Sequence, residues 1–290
     1  MTARPTRRVL LEKARSLLKS AGVDDYSLEA ELLLQHATGL TASQMFARLT
    51  EEATQEEARA LGQLVERRAM REPLAYITRQ RDFYGRRFYV DQRVLVPRPE
   101  TELLVELALA FIRNTSSRSP RVADIGVGSG VLAITLALEL PGATIDAVDI
   151  SPHALEVARH NAERHGVAER VTFHQGDLAE PVAGSEFDVI VANLPYVLPE
   201  SYYEGQPELR HEPHIALLGG PDGLSLIRRL IQQLPRLLAS SASIALLEAD
   251  PIRAGPASEL ARRQLPDARV HIHDDPAGLE RCVEIARVKH

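Results

Sequence analysis

Val122-Ala123-Asp124-Ile125-Gly126-Val127-Gly128-Ser129-Gly130 reads as a buried strand running into a glycine turn. Glycines let the backbone approach a ligand closely, and the helix expected next offers free N–H groups. Strand, glycine turn and helix form the opening unit of an open α/β sheet, in which ligands sit beyond the carboxyl ends of the strands at the switch point. The alternation continues from there. Strands are expected at 121–125, 144–149, 170–174, 187–192, 242–248, 268–273 and 282–287, and helices at 129–139, 152–165, 222–238 and 254–264. That order predicts a doubly wound, Rossmann-like seven-stranded sheet.

Two further strand ends fit a nucleoside-type ligand. Ile145-Asp-Ala-Val-Asp149 ends in an acid that can accept both ribose hydroxyl protons, and Ser151-Pro152 then opens a helix. The next strand ends at Gly176-Asp177-Leu178, where an acid can accept from an exocyclic adenine amine. The turn Gly126 to Gly130 is Gly-x-Gly-x-Gly with Val131 following, so it lacks the third glycine of the dinucleotide fingerprint. That argues against a pyrophosphate cofactor and for S-adenosyl-L-methionine. The cofactor contacts expected from these strand ends are Gly126, Val127, Gly128, Ser129, Gly130, Asp149, Asp177 and Leu178.

Phe187-Asp-Val-Ile-Val-Ala-Asn193-Leu194-Pro195-Tyr196 is a second buried strand, stopping in a carbonyl-rich turn beside an aromatic ring. Amide nitrogen is a poor nucleophile because its lone pair is delocalised. A site that alkylates it must hold the NH2 group by acceptors and aim the lone-pair direction at the donor. The Asn193 side-chain oxygen and a turn carbonyl can accept those hydrogens. Pro195 has no N–H to compete and biases Leu194 toward extended geometry. The Tyr196 ring can stack on a planar group and exclude water. Asn193, Pro195 and Tyr196 are the expected catalytic residues, and Asn193 to Tyr196 the acceptor-binding turn. Together the two turns predict methyl transfer to a planar nitrogen, by in-line displacement and with no metal.

The rest of the chain is organised around this unit. Residues 6–70 read as helical: Val9, Leu10, Ala14, Leu17, Leu18 and Ala21 form one stripe, and Leu28, Leu32, Leu33 and Leu34 a second. Thr41 with Gln44 and Thr54 with Glu57 have capping-box spacing. Phe83 to Gly85, Phe88 to Val90 and Val94 to Val96 are β-rich and predict a hairpin joining two domains, ended by Pro97-Arg98-Pro99. A helix follows from Glu100, then a polar loop at 114–120. The expected domains are 1–72 (helical), 73–99 (hairpin) and 100–290 (sheet). Residues 197–221 are too long and polar for a routine connection and predict a lid or substrate loop. Arg98 has the reach to pair with an acid of that loop or touch the substrate, and a structural role between its two prolines is the alternative. His271, His273, Asp274 and Asp275 predict a solvated edge strand rather than a metal site, and His211, Glu212 and His214 a structural part of the loop.

Bulk properties exclude other classes. The net charge of −6 provides no global basic field for nucleic acid. Cys282 is the only cysteine, which removes an intrachain disulfide or a Cys-rich zinc cluster and fits a reducing cytoplasm. No apolar run reaches transmembrane length, and the basic start at Arg4 to Arg8 is followed by Glu12 and Lys13 rather than by a signal-type apolar stretch.

The chain resembles the release factor glutamine N5-methyltransferases. Asn193-Leu194-Pro195-Tyr196 is similar to the Asn-Pro-Pro-Tyr motif of amino methyltransferases. The likeness extends to Pro73 through Ile77, Phe83 through Phe88, Val94 through Glu102, Glu212-Pro213-His214 and Gly219 through Leu224. The resemblance implies a two-domain enzyme that methylates the glutamine of the Gly-Gly-Gln tip of peptide chain release factors. It implies that Gly126 to Gly130, Asp149, Leu178 and Asn193 contact the cofactor, that Asn193 to Tyr196 hold the glutamine, and that the helical domain and hairpin help recognise the release factor. Leu194 stands where the family has its first proline, and Leu178 where an aromatic residue is common. Glu248-Ala249-Asp250-Pro251 departs from the family's usual turn, and no role is assigned to it. The competing expectation is an adenine-N6 methyltransferase acting on rRNA or DNA, since adenine N6 resembles an amide NH2.

Overall fold

The computed structural model describes residues 4–115, 118–239 and 242–287. Positions 116–117 of the expected polar loop lie outside the described residues. The chain divides into two compact units, one running to Gln80 and the other starting at Arg81.

The first unit is helical: α1 (Arg7–Ser20), α2 (Tyr26–Thr38), α3 (Ala42–Ala47), α4 (Gln55–Ala69) and α5 (Leu74–Thr78). Both expected capping boxes form, Thr41 with Gln44 and Thr54 with Glu57, each satisfying two backbone donors. The core is Leu11, Ala14, Leu18, Ala30, Leu33, Leu34, Met45, Leu61 and Val65. The second expected stripe is corrected here: Leu28 is 56% exposed and Leu32 37%, and Ala30 takes the inward position instead. Val9 and Leu17 of the first stripe also face out, and Leu11 is buried in their place. Residues 74–78 are helical, so the β-rich region begins later than its composition suggested.

The second unit opens with a hairpin, β1 (Arg81–Phe83) and β2 (Arg86–Phe88), closed by Tyr84-Gly85. Both turn residues have positive φ, the requirement of a two-residue type I′ turn. Glu102 accepts the Tyr84 N–H at 2.7 Å and holds this less common tyrosine conformation. Val94 to Val96 form no strand. The Val96 N–H donates to the Glu212 carboxylate at 3.0 Å instead of to a strand neighbour, and Pro97 and Pro99 supply no donors at all.

A short 3-10 turn (Pro99–Thr101) leads into α6 (Glu102–Thr115). Then come β3 (Arg121–Ile125), α7 (Val131–Glu139), β4 (Thr144–Asp149), α8 (Pro152–Arg164), β5 (Val171–Gln175) and β6 (Val189–Ala192). After α9 (Pro199–Glu204) follow α10 (Ser225–Gln233), β7 (Ser243–Glu248), α11 (Pro251–Gln264), β8 (Arg269–Asp274) and β9 (Glu280–Arg287). The seven large-sheet strands lie in the order β5-β4-β3-β6-β7-β9-β8. All run parallel except β9, which is antiparallel to both of its neighbours.

Alternate strand residues feed two cores. Val122, Val189, Val191 and Leu246 face α6, α7 and α8, together with Phe83 and Phe88 of the hairpin. Ala123, Ile125, Ile190 and Leu247 face α10 and α11. Parallel strands covered on both faces account for the almost uninterrupted apolar runs in the sequence. The expected helix 222–238 is shorter because Pro235 converts its end to a 3-10 turn. The helix expected from 254 starts earlier, at Pro251, because Asp250 accepts the Arg253 N–H as its N-cap. Among the described residues no helix is long and apolar enough to cross a membrane.

Candidate active site

Strand order reverses between β3 and β6, and their register pairs Ile125 with Ala192. The next residues on the two strands, Gly126 and Asn193, therefore leave the sheet side by side. Gly126 has φ +84°, and a Cβ there would sit 3.1 Å from Leu194 Cδ2, so glycine is required for the two turns to pack. The Gly126 and Val127 N–H groups both donate to Val148 O on β4, at 2.8 and 2.9 Å.

Three side chains brace the glycine turn. Asp149 accepts from Gly128 N with one oxygen and from Ser151 N with the other, both at 2.9 Å. Asn161, buried on α8, donates to Ser129 O at 2.8 Å and exchanges two hydrogen bonds with the Tyr89 backbone. Asp124, buried on β3, accepts the Ala133 N–H at 3.0 Å in the first turn of α7, while its Oδ1 has no partner. Neither Asn161 nor Asp124 stood out in the sequence, because a polar residue within a helix or strand pattern carries no sign of what it will face.

Burial pushes the Asp124 carboxyl up to about 7, with the Asp149 charge adding to it and the Ala133 hydrogen bond opposing it. The raised value has a sign that can be tested. Stability from this group is fully present below the unfolded value near 4 and is lost as pH rises through about 7. We expect Asp124→Asn to flatten the dependence of unfolding free energy on pH between about 4 and 7. Urea titrations at a series of pH values would read this, and an unchanged slope would contradict it.

Beyond the strand ends lies a cavity of about 230 Å³. Gly126, Val127, Gly128, Ser129, Asp149, Asp177, Leu178, Asn193, Leu194 and Pro195 all line it. Gly130 does not; it serves as the left-handed residue before α7. Leu178 also has positive φ, and its side chain is packed into the core beneath the cavity. A nucleoside fits these walls. Leu178 and Leu226 are apolar, and the Asp149 carboxylate, which lines the same cavity, can accept from a ribose hydroxyl. The lining arginines are already engaged, Arg93 by Asp91 and Glu156 and Arg229 by Asp177 at 2.6 Å.

A second cavity of about 190 Å³ adjoins the first. Asn193, Leu194 and Pro195 line both, whereas Tyr196 lines only the second. Leu209 and Leu217 of the 197–221 segment line only the second cavity, while Ala216 and Leu95 line both. Glu212 anchors that segment: it is 3% exposed and pairs with Arg98 at 2.5 Å, so Arg98 meets an acid of the loop, one of the roles expected for it. Tyr202 Oη lies 2.7 Å from His214 Nε2 within that segment. At Gly219 a Cβ would fall 2.6 Å from Pro195 O, so only glycine lets the returning segment lie against the acceptor turn. His273, on the edge strand β8, lies 2.7 Å from Glu284.

Beneath Asn193 is a layer that sequence reading missed. Asn193 Nδ2 donates to Thr101 Oγ1 at 3.0 Å, and Thr101 Oγ1 lies 2.6 Å from Glu248 Oε2. Tyr196 Oη donates to Glu248 Oε1 at 3.2 Å. Glu248 is 1% exposed; burial pushes its carboxyl up to about 6, against the hydrogen bonds from Thr101 and Tyr196. Burial and the Glu248 charge raise the Tyr196 phenol well above its ordinary value, so it remains a donor. The signal for Glu248 was present: an acid ends the buried strand β7 beside β6, as Asp149 ends β4.

The sequence matches two family models, the PrmC N-terminal domain over residues 10–78 and the methyltransferase small domain over residues 101–203. A release factor glutamine methyltransferase of Moorella thermoacetica is 40% identical over 278 residues, covering 96% of this chain and 97% of that one. One from Neisseria gonorrhoeae is 42% identical over 265 residues, covering 91% and 94%. The chain belongs to the release factor glutamine methyltransferase family. A solved methyltransferase from Pyrococcus furiosus, 16% identical, shares the fold with a TM-score of 0.50 over 71% of this chain and 91% of that one. In this release factor glutamine methyltransferase the two cavities share Leu95, Asn193, Leu194, Pro195 and Ala216 as lining residues.

Proposed function

We propose that the enzyme transfers a methyl group from S-adenosylmethionine to the side-chain amide nitrogen of the glutamine in the Gly-Gly-Gln motif of peptide chain release factors. One observation carries this reading: Asn193, Leu194 and Pro195, together with Leu95 and Ala216, line both cavities. The first cavity takes the cofactor, with Asp149 on the ribose hydroxyls, the Gly126 to Ser129 turn along one side, and Asp177 and Leu178 toward the adenine. When bound, the cofactor supplies an electrophilic methyl carbon on a sulfonium, so N–C bond formation is matched by C–S cleavage and the amide nitrogen gives up one proton.

The chain's own part is positioning. Asn193 Nδ2 is committed to Thr101, which leaves Oδ1 as the acceptor for one substrate N–H. A carbonyl of the Leu194-Pro195 turn accepts the other. Two fixed acceptors hold the amide plane, and the Tyr196 ring covers it and keeps water out. Leu194 in place of a proline leaves the turn carbonyl in place, and its side chain is held against Gly126. The helical unit ending at Gln80 and the hairpin contribute to recognition of the release factor. Family membership favours this protein substrate over adenine N6.

The test is incubation of the purified chain with labelled S-adenosylmethionine and a release factor, followed by mass mapping. A single added methyl on the Gly-Gly-Gln glutamine is expected. Label on another residue, or on added rRNA, would overturn the assignment.

A further inference from the structure

Asn193 can act as an acceptor toward the substrate only if its carboxamide is held one way round. The two ends of an amide have almost the same shape and differ only in hydrogen-bond sense. Packing alone therefore does not choose between Oδ1 and Nδ2 facing the acceptor cavity; the choice belongs to whatever the buried end meets. That partner is the Thr101 hydroxyl, which has a single proton to donate.

An ionised carboxylate can only accept. Glu248 Oε2 lies 2.6 Å from Thr101 Oγ1, so the Thr101 proton goes to Glu248. The lone pairs of Thr101 Oγ1 are then what Asn193 meets, and its NH2 end must turn to them, at 3.0 Å. The second carboxylate oxygen takes the Tyr196 hydroxyl proton, which fixes the ring forming one wall of the acceptor cavity. We propose that Glu248 is a positioning residue that sets the hydrogen-bond polarity of Asn193 through Thr101, and so presents Asn193 Oδ1 to the substrate amide. This rests on the reading that Asn193 accepts from the glutamine NH2.

The relay has a protonation-dependent direction. A protonated or amidated group at 248 can donate to Thr101, freeing the hydroxyl proton to face Asn193. The asparagine can then turn over and present NH2 to a substrate NH2, two donors facing each other. Burial holds Glu248 near the range where this matters, at about 6. The groups around it are Thr101 and Tyr196, Arg281 and Glu100, whose charges oppose one another, and the Cys282 thiol, its register partner on β9. Cys282 is buried and its thiol is raised well above its ordinary value, so it stays neutral here.

The experiment compares Glu248→Gln, Thr101→Val and Thr101→Ser with the parent enzyme on a release factor, with each fold checked by thermal melting. Glu248→Gln should lower kcat by about 30-fold, less than outright loss of a preorganised polar group. The acid limb of the parent's kcat–pH profile, near 6, should vanish in that variant. Thr101→Ser, which keeps the hydroxyl, should lose far less rate than Thr101→Val. A readout independent of turnover is the side-chain amide NMR signal of Asn193, which should shift with pH through about 6 in the parent and stay constant in Glu248→Gln. If Asn193→Ala is inactive while Glu248→Gln keeps full rate and the acid limb, the relay is wrong and the acceptor role of Asn193 stands. If Asn193→Ala itself keeps full rate, the underlying reading fails instead. Should Glu248→Gln not fold, a flat Asn193 signal in the parent enzyme would by itself overturn the proposal.

Discussion

Asn193→Ala is expected to reduce glutamine methylation by about 10³-fold, the scale seen when a preorganised polar group at a reacting centre is removed. The amide nitrogen has little intrinsic nucleophilicity, so the reaction depends on holding its plane and direction. Alanine removes the one side-chain acceptor in the wall common to both cavities. It also leaves the Thr101 hydroxyl without its donor, but the buried Glu248 carboxylate keeps Thr101 and Tyr196 as partners, so the fold survives. Cofactor affinity should fall much less than rate, because the ribose and glycine-turn contacts remain. Single-turnover methylation and equilibrium dialysis separate the two effects. An alanine variant with parental turnover would remove the acceptor geometry from the mechanism.

Asp149→Ala is expected to weaken S-adenosylmethionine binding by about 10²-fold, the equivalent of about 2–3 kcal/mol from hydrogen bonds to a charged group. The carboxylate lies at the end of β4, accepts Gly128 N and Ser151 N, and lines the cavity where a ribose hydroxyl would meet it. Losing it both deletes the ribose acceptor and slackens the glycine turn. The loss should appear as a raised dissociation constant in calorimetry. At saturating cofactor kcat should recover substantially, because Asp149 does not line the acceptor cavity. Unaltered affinity would contradict the ribose assignment.

These two residues differ from Glu248 in how visible they are in a sequence. Asp149 and the Gly126 to Gly130 turn sit at strand ends whose spacing follows from the βαβ repeat, so the chain order alone predicts that they converge. The paired strands of the large sheet were legible for the same reason: both faces are covered, and the apolar runs are long and regular. The helical stripes were less so. Leu28 and Leu32 read as core yet point outward, since several leucines in a row satisfy more than one helical phase. Val94 to Val96 had strand composition but form no strand, and the Val96 N–H went to Glu212 across 116 residues.

What the linear order carries is local: periodicity, caps, turn chemistry and the succession of strand and helix, each settled by neighbours within a few residues. From these come the sheet, its switch point and the two turns that meet there. The network under Asn193 is of another kind. Thr101 and Glu248 are 147 residues apart, and nothing in either segment says that the two will meet. Their meeting depends on β7 lying beside β6 and on the Pro99–Thr101 turn entering α6 above it. A hydrogen-bond polarity exists only between groups already brought together away from water, and so it was decided by the packing of the folded chain.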